Sequence, residues 1–351
     1  MTRPPASSAA NSAAGSDTAG SDTGGSAAGA AGARRVLITG ANGFVGRNLC
    51  ACLSQQNWIV RAAVRTVAAG RALAAAETVV TGDLDETTDW QDALRDVDAV
   101  VHCAARVHVL AEKDTDPLGA FRRVNVAGTE QLARQAAVTN VGHFVYLSSI
   151  GARIAESGQS ATPYQRSKLE AEAVLRKISA ESGMSVTLLR PPLIYGAQAP
   201  GNFSLLMKII RQGIPLPVES IENRRAFLYI GNLCDAVRIC LEKPGKAVRQ
   251  YELADGDGVS TPELIRELAG VLKRPARLWP CPLWLLRLVG RITGRSAMVE
   301  RLTGSLDLDI SPLKKDLDWS PPWSFRAGLK ASIATAGGEP RTPQTLENGE
   351  R

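Results

Sequence analysis

The chain has 351 residues, of which 44% are hydrophobic and 22% are charged, and its formal net charge is +6 at pH 7. This length allows a large α/β domain with an additional lobe and ample residues for a buried core. The six cysteines form neither a CxxC motif nor a zinc-ligand spacing, so we expect a cytoplasmic protein without a metal site. Nucleic acid is not an expected partner, because no basic run with interleaved aromatic residues occurs.

The two ends of the sequence differ in composition from the rest. Residues 1–33 are rich in Ala, Ser, Gly, Thr and Asp and contain no large apolar residue after Met1. Such a segment cannot bury enough surface to offset the entropy lost on ordering, and it lacks the apolar stretch of a signal peptide. We therefore predict disordered tails at 1–33 and 336–351.

Between the tails, apolar runs typical of β-strands alternate with stretches long enough for a helix. These runs lie at 35–39, 58–64, 98–103, 143–148 and 185–190. The alternation predicts a parallel sheet covered by helices on both faces. We predict a dinucleotide-binding domain at 34–190 and a smaller substrate-binding lobe at 191–335 that partly returns to the sheet.

The predicted lobe has a looser pattern. It contains a helix-like stretch at 203–212, a strand-like stretch at 225–230 and further helices near 232–242 and 261–273. Because ligands of open α/β sheets bind beyond the carboxyl ends of the strands, we expect the lobe to cover a cleft there.

The first predicted strand leads directly into glycines and then into a helical pattern. Gly40 and Gly43 suit a tight turn and a close approach of the backbone to a pyrophosphate, and Gly46 suits close packing of helix on strand. The helix that begins near Phe44 and Val45 offers free N–H groups to phosphates. The spacing alone is a weak signal, but the flanking elements favour a dinucleotide site.

Tyr164 and Lys168 are four residues apart, which places both side chains on one face of a predicted helix. A tyrosine with a pKa of about 10 is a poor base at neutral pH. A nearby lysine ammonium favours the phenolate, so the pair could exchange a proton with a hydroxyl or carbonyl group.

Together, the glycine turn and the Tyr164-x-x-x-Lys168 pair resemble the extended short-chain dehydrogenase/reductase family, which contains nucleotide-sugar epimerases, dehydratases and ketoreductases. The resemblance covers residues 35–330 and implies a Rossmann-type doubly wound parallel sheet. It implies that Ser149 contacts the reacting oxygen beside Tyr164 and Lys168. It also implies that Asn125 supports the central helix.

The same resemblance implies further ligand contacts. Asp83 and Leu84 match the adenine side of the cofactor site, Ala104 and Ala105 match a close approach to the dinucleotide, and Pro191 matches the loop over the nicotinamide. Two residues are expected at the substrate, namely Asn202 and Arg225, the second as a diphosphate ligand.

Arg65 bears on the choice of cofactor. NAD specificity usually comes from an acidic residue at the end of the second strand, whereas this strand ends in Arg65. An arginine there could bind a 2′-phosphate, which favours NADP(H) over NAD(H). It could also be a solvated loop residue, which leaves NAD(H) open.

These features predict a 4-ketoreductase that acts on a nucleotide-diphosphate sugar in polysaccharide precursor synthesis, and a homodimer is expected. A UDP-sugar 4-epimerase of the UDP-glucose or UDP-N-acetylglucosamine type is the first alternative. Reduction of a non-sugar carbonyl and a non-catalytic cofactor-binding protein of the same fold are the others.

The apolar segment 278–295 is too short, and too interrupted by proline and arginine, to span a bilayer. One interpretation is a helix that packs on the protein's own core or on a partner subunit, the commoner outcome for an apolar stripe. The other is a peripheral membrane contact by an amphipathic helix, which the nearby Arg287, Arg291 and Arg295 would favour.

Overall fold

A computed structural model describes residues 34–107, 115–200 and 202–334. The predicted tails at 1–33 and 336–351 lie outside these residues. The strands, in chain order, are β1 (Arg34–Thr39), β2 (Trp58–Val64), β3 (Glu77–Val80), β4 (Ala99–His102), β5 (His143–Leu147), β6 (Ser185–Arg190), β7 (Leu193–Tyr195), β8 (Phe227–Tyr229) and β9 (Val248–Glu252).

Helices connect the strands and cover the sheet. They are α1 (Phe44–Ser54), α2 (Val67–Gly70), α3 (Gln91–Leu94), α4 (Pro117–Arg122), α5 (Gly128–Val138), α6 (Ile150–Glu156), α7 (Pro163–Ser182), α8 (Asn202–Arg211), α9 (Ile230–Glu242), α10 (Thr261–Val271), α11 (Leu283–Ile292), α12 (Ser296–Thr303), α13 (Ser311–Leu317) and α14 (Phe325–Ala334). A single π-helical turn, Arg123–Ala127, joins α4 to α5.

The main sheet has seven strands in the order β3-β2-β1-β4-β5-β6-β9, and every neighbouring pair is parallel. The predicted doubly wound parallel sheet is therefore confirmed. A second sheet pairs β7 with β8 in parallel. The domain boundary at 190/191 stays a prediction, and β9 on the far side of it lies at the edge of the main sheet.

The sequence patterns missed β3 and β9, which are the two edges of the sheet. Residues of β3 alternate between half-buried and exposed, and β9 contains Arg249, Gln250 and Glu252. Edge strands are partly solvated, so they carry polar residues and lack the continuous apolar run of a central strand.

Alternate residues of β1 enter two separate cores on opposite faces of the sheet. Val36 and Ile38 pack in the core that includes Leu49 of α1, whereas Leu37 packs in the core that includes Leu132 of α5. Parallel strands buried on both faces need this continuous apolar character. The sheet thereby holds all its carboxyl ends at one rigid edge.

Helix α7 is well defined at both ends. Thr162 caps its start in a capping box with Gln165, and Pro163 occupies the first turn. Gly183, with a φ of 78°, ends it in the left-handed conformation. These caps set the register of the helix that carries Tyr164 and Lys168.

A buried ion pair attaches α7 to the sheet. Arg190 Nε and Nη2 donate to the two oxygens of Glu172 at 2.9 and 2.6 Å, and both side chains are almost fully buried. Arg190 Nη1 donates to Glu156 of α6 at 2.7 Å, and the Ser148 hydroxyl donates to Glu172 at 2.5 Å. Burial by itself would lower the pKa of Arg190, but its bonds to Glu172 and Glu156 raise it overall.

Replacing Glu172 by Met should leave the Arg190 charge buried with only Glu156 as its carboxylate partner. Breaking one side of a buried pair costs about 3–5 kcal/mol, and we expect this loss in the free energy of unfolding by urea. The matched control is Glu170→Met on the same helix. Glu170 pairs with the exposed Arg122, so its loss should cost only about 0–1 kcal/mol. Equal losses in the two variants would contradict this role.

Candidate active site

A cavity of about 700 Å³ opens where the carboxyl ends of β1, β2, β4 and β5 meet the loops that follow them. Most of the residues predicted from the sequence line it together. They are Gly40, Gly43, Phe44, Val45, Gly46, Arg65, Asp83, Leu84, Ala104, Ala105, Ser149, Tyr164, Lys168 and Pro191. The fold thus brings distant segments of the chain to one site.

The glycine turn forms a cradle without side chains. Gly43 N donates to Gly40 O at 2.9 Å, and Gly40 has a φ of +64°. A Cβ on Gly40 would lie 2.8 Å from Ala104 N, and a Cβ on Gly46 would overlap Gly40 O. The start of α1 at Gly43 has no side-chain cap, so its N–H groups are available to phosphates. These features fit a dinucleotide pyrophosphate.

Lys168 is held deep in the cavity wall. Its ammonium donates to Leu147 O at 2.8 Å and to the Tyr146 hydroxyl at 3.2 Å. Burial lowers the pKa of Lys168 to about 8, while Cys103 and Glu172 oppose that change. The group is therefore still mostly charged at neutral pH.

Tyr164 lies one helical turn before Lys168. Burial raises the pKa of Tyr164, and a hydrogen bond with the Ser149 side chain works in the opposite direction. Ser149 Oγ also accepts from Gly151 N at 3.0 Å, which caps α6 and fixes the position of this hydroxyl. The arrangement can take up or release a proton at the Tyr164 oxygen.

Asn125 links the π-helical turn to the helix of Tyr164. Its side chain accepts from Arg106 N at 2.7 Å and donates to Arg106 O and to Ser167 Oγ, both at 3.0 Å. Ser167 in turn donates to Tyr164 O at 2.8 Å. Single π-turns occur often at functional sites.

A buried histidine network that the sequence analysis did not predict supports the same wall. His102 Nδ1 lies 2.6 Å from Thr39 Oγ1, and Nε2 lies 3.0 Å from Thr129 Oγ1. Burial lowers the pKa of His102 to about 3, and the Lys168 charge adds to the effect, so the ring is neutral. Because Thr39 also accepts from Ala104 N at 3.2 Å, the network positions the loop beside the cradle.

The two residues predicted to bind the substrate, Arg225 and Asn202, are not among the described residues that line the cavity. Arg225 is absent from the described lining residues, and its guanidinium donates to Arg301 O at 2.7 Å and Gly304 O at 3.1 Å. The side chain of Asn202 lies outside the described residues. Both assignments stay predictions.

Arg65 lies at the rim of the cavity beside Asp83. Its guanidinium is 3.7 Å from the Asp83 carboxylate, and the two side chains are 73% and 84% exposed. An ion pair this exposed is weak, so Arg65 is only loosely oriented.

The chain matches the NAD dependent epimerase/dehydratase family over residues 36–254. Over 312 residues it is 38% identical to the UDP-glucose 4-epimerase of Vibrio cholerae, which covers 85% of this chain and 94% of that one. It is 24% identical over 320 residues to the N-acetyl-alpha-D-glucosaminyl-diphospho-ditrans,octacis-undecaprenol 4-epimerase of Escherichia coli, with 85% and 94% covered. The structure of a UDP-N-acetylglucosamine 4-epimerase from Bacillus cereus matches with a TM-score of 0.70 and 20% identity, covering 87% of this chain and all of that one.

The chain therefore belongs to the NAD dependent epimerase/dehydratase family. It is an NAD-dependent enzyme of the extended short-chain dehydrogenase/reductase type, so the predicted family and enzyme class are confirmed. The expected preference for NADP(H) finds no support, because the family is described as NAD dependent.

Gly46→Ala tests the cradle. The new Cβ would overlap Gly40 O, so the turn or α1 must shift. Overpacking of this kind costs about 1–3 kcal/mol, and we expect NAD affinity measured by calorimetry to fall about tenfold or more. The control is Gly270→Ala in α10, where an added Cβ meets nothing within 4 Å and affinity should not change. Unchanged NAD affinity in Gly46→Ala would remove the cradle from the cofactor site.

Proposed function

We propose that the protein is an NAD-dependent 4-epimerase of a UDP-linked sugar. The observation that carries this proposal is the 38% identity to the Vibrio cholerae UDP-glucose 4-epimerase, which extends over 94% of that enzyme. The lining of the cavity supports it, since a glycine cradle and a Tyr–Lys–Ser set lie together at the carboxyl edge of the sheet.

Bound NAD would supply a two-electron acceptor that is restored within each turnover. Tyr164 Oη takes the proton of the sugar hydroxyl as the C4–H bond breaks and returns it when C4 is reduced from the opposite face. Ser149 Oγ orients the reacting oxygen, and its hydrogen bond lowers the pKa of Tyr164. Lys168, which donates to Leu147 O and to the Tyr146 hydroxyl, adds a positive charge one helical turn away. The sugar is inverted at C4 with no net oxidation, so no second substrate is consumed.

Reduction of a 4-keto sugar, our main expectation from the sequence, becomes the second candidate. The observation that favours it is Arg65, which directly follows β2 where an acidic residue would favour NAD, and which could pair with a 2′-phosphate. The neighbouring Asp83 weakens this argument, because its carboxylate lies 3.7 Å from the guanidinium and would repel a phosphate dianion. We therefore propose NAD(H) as the cofactor.

The decisive assay incubates the purified protein with NAD and either UDP-glucose or UDP-N-acetylglucosamine. We expect the 4-epimer to appear by NMR without accumulation of NADH, and we expect calorimetry to show NAD(H) bound more tightly than NADP(H). Stoichiometric consumption of NADPH with a UDP-4-keto sugar, without epimerisation, would replace the proposal by the reductase. Absence of both reactions would favour the non-catalytic alternative.

The Tyr164–Ser149 pair makes a pH-dependent prediction. Ser149→Ala removes the hydrogen bond that lowers the pKa of Tyr164, so that pKa should rise further. The phenolate then forms only at higher pH, and the rising limb of kcat/KM should move to higher pH.

Tyr164→Phe should lower kcat by about 10²–10⁴-fold at every pH while NAD binding remains. The control is Tyr251→Phe, which loses a hydrogen bond to Asp316 outside the cavity and should keep normal turnover.

A pH profile of Ser149→Ala that coincides with that of the wild type would contradict the role assigned to the Ser149 hydroxyl.

A further inference from the structure

Helix α11 turns a large apolar surface towards solvent. Leu283, Leu286 and Gly290 hold it against the protein, through the main core and through α12. The opposite stripe is exposed, with Trp284 at 65% and Ile292 at 77%. We call the exposed residues of this region the α11 face, which consists of Trp279, Trp284, Leu288, Val289, Ile292 and Met298.

This concentration of apolar residues differs from the rest of the described surface. The other large exposed hydrophobic residues of the described ranges are spread along the chain from Val67 to Ile214, whereas the α11 face gathers six within 279–298. Both exposed tryptophans of the chain belong to it, and the other four are buried. Contiguous apolar patches of this kind mark interaction sites.

The segment 273–295 carries charges of a single sign, while the acids nearest to the face are the exposed Glu300 of α12 and Glu219, which pairs with Arg266 and donates its N–H to Trp279 O. Between 273 and 295 the sequence contains no Asp or Glu, and six exposed cations lie there: Lys273, Arg274, Arg277, Arg287, Arg291 and Arg295. None of the six forms an ion pair with a residue of the described ranges. Arg287 and Arg291 lie on α11 one position before Leu288 and Ile292, so cationic and apolar stripes run side by side.

The face is firmly attached to the chain that follows α8. Leu216 N donates to Arg277 O at 2.8 Å, and Trp279 N donates to Leu216 O at 3.1 Å. The Arg277 guanidinium donates to Gly213 O at 3.1 Å. The apolar residues are therefore presented on a fixed support.

We propose that the α11 face binds the surface of an anionic phospholipid bilayer. Tryptophan and aliphatic side chains partition into the interfacial region, while arginines extend their charge to the phosphate headgroups. In the described ranges no helix has the length and apolar character needed to cross a membrane. The inference is independent of the proposed epimerase activity.

The charge pattern argues against a second copy of the chain as the occupant. A two-fold symmetric contact through this face would bring the cationic stripes of both copies into one interface, and the segment 273–295 contains no Asp or Glu to pair with them. Like charges in a desolvated contact are repulsive, whereas anionic headgroups neutralise all of them at once. The predicted homodimer would therefore use another surface.

The test is flotation of the full-length protein with vesicles of phosphatidylcholine alone and with vesicles that also contain phosphatidylglycerol. We expect binding to the anionic vesicles, weak binding to the neutral ones, and loss of binding as salt increases. Trp284→Ser/Ile292→Ser and Arg287→Glu/Arg291→Glu should each weaken partitioning by about tenfold or more. Quenching of tryptophan fluorescence by brominated lipid should be strong in the wild type and reduced in Trp284→Ser/Ile292→Ser.

The matched controls are Val138→Ser and Arg71→Glu, which change exposed residues of the same kinds far from this segment in sequence. They should bind vesicles like the wild type, and all variants should keep normal turnover of a nucleotide sugar. Failure of the wild type to bind anionic vesicles, or equal binding by the α11 variants, would overturn the proposal. So would a dimer, detected by light scattering, that the α11 variants abolish.

Discussion

The buried carboxylate of Glu172 is the interaction on which the catalytic half depends. It accepts from Arg190 at the end of β6 and from Ser148 at the end of β5, and Arg190 also binds Glu156 of α6. Two helices and two strand ends are thereby joined around one charge pair. Such pairs add little net stability over apolar packing, but this arrangement is favoured because separating the partners would leave a buried charge uncompensated. Since Tyr164, Lys168 and Glu172 follow at intervals of four residues, that arrangement sets the height of the catalytic side chains above the sheet.

A second buried carboxylate organises the C-terminal half in a similar way. Asp255 accepts from the Tyr195 hydroxyl at 2.7 Å, from Tyr229 N at 2.8 Å and from Asn232 at 2.7 Å. Burial raises the pKa of Asp255 to about 6, and these three donors oppose the change. Asp255 lies in the loop after β9, so one carboxylate joins this loop to β7, to β8 and to α9.

Local patterns predicted much of the site because its chemistry depends on short spacings. The glycines at 40, 43 and 46 lie in one turn, and Tyr164 and Lys168 lie on one helix face. Both motifs can therefore be recognised from their spacing in the sequence alone. The sequence did not predict that Glu172 and His102 support the site, because a charged or polar residue is usually on the surface of a protein. Their burial depends on Arg190, Thr39 and Thr129, which are distant in the chain. A spacing of four from Lys168 was the one available signal for Glu172.

By itself, the sequence determined the parallel sheet covered on both faces, the positions of its central strands along the chain and the members of the glycine and Tyr–Lys motifs, because periodicity and turn chemistry act over a few residues. Only the tertiary structure decided which edge strands complete the sheet, that the guanidinium of Arg225 is bound to backbone carbonyls, and that Arg65 lies beside Asp83. It also decided that the apolar stripe of α11 remains exposed. Amphipathic periodicity defines a face of a helix, but whether another part of the chain covers that face depends on long-range packing.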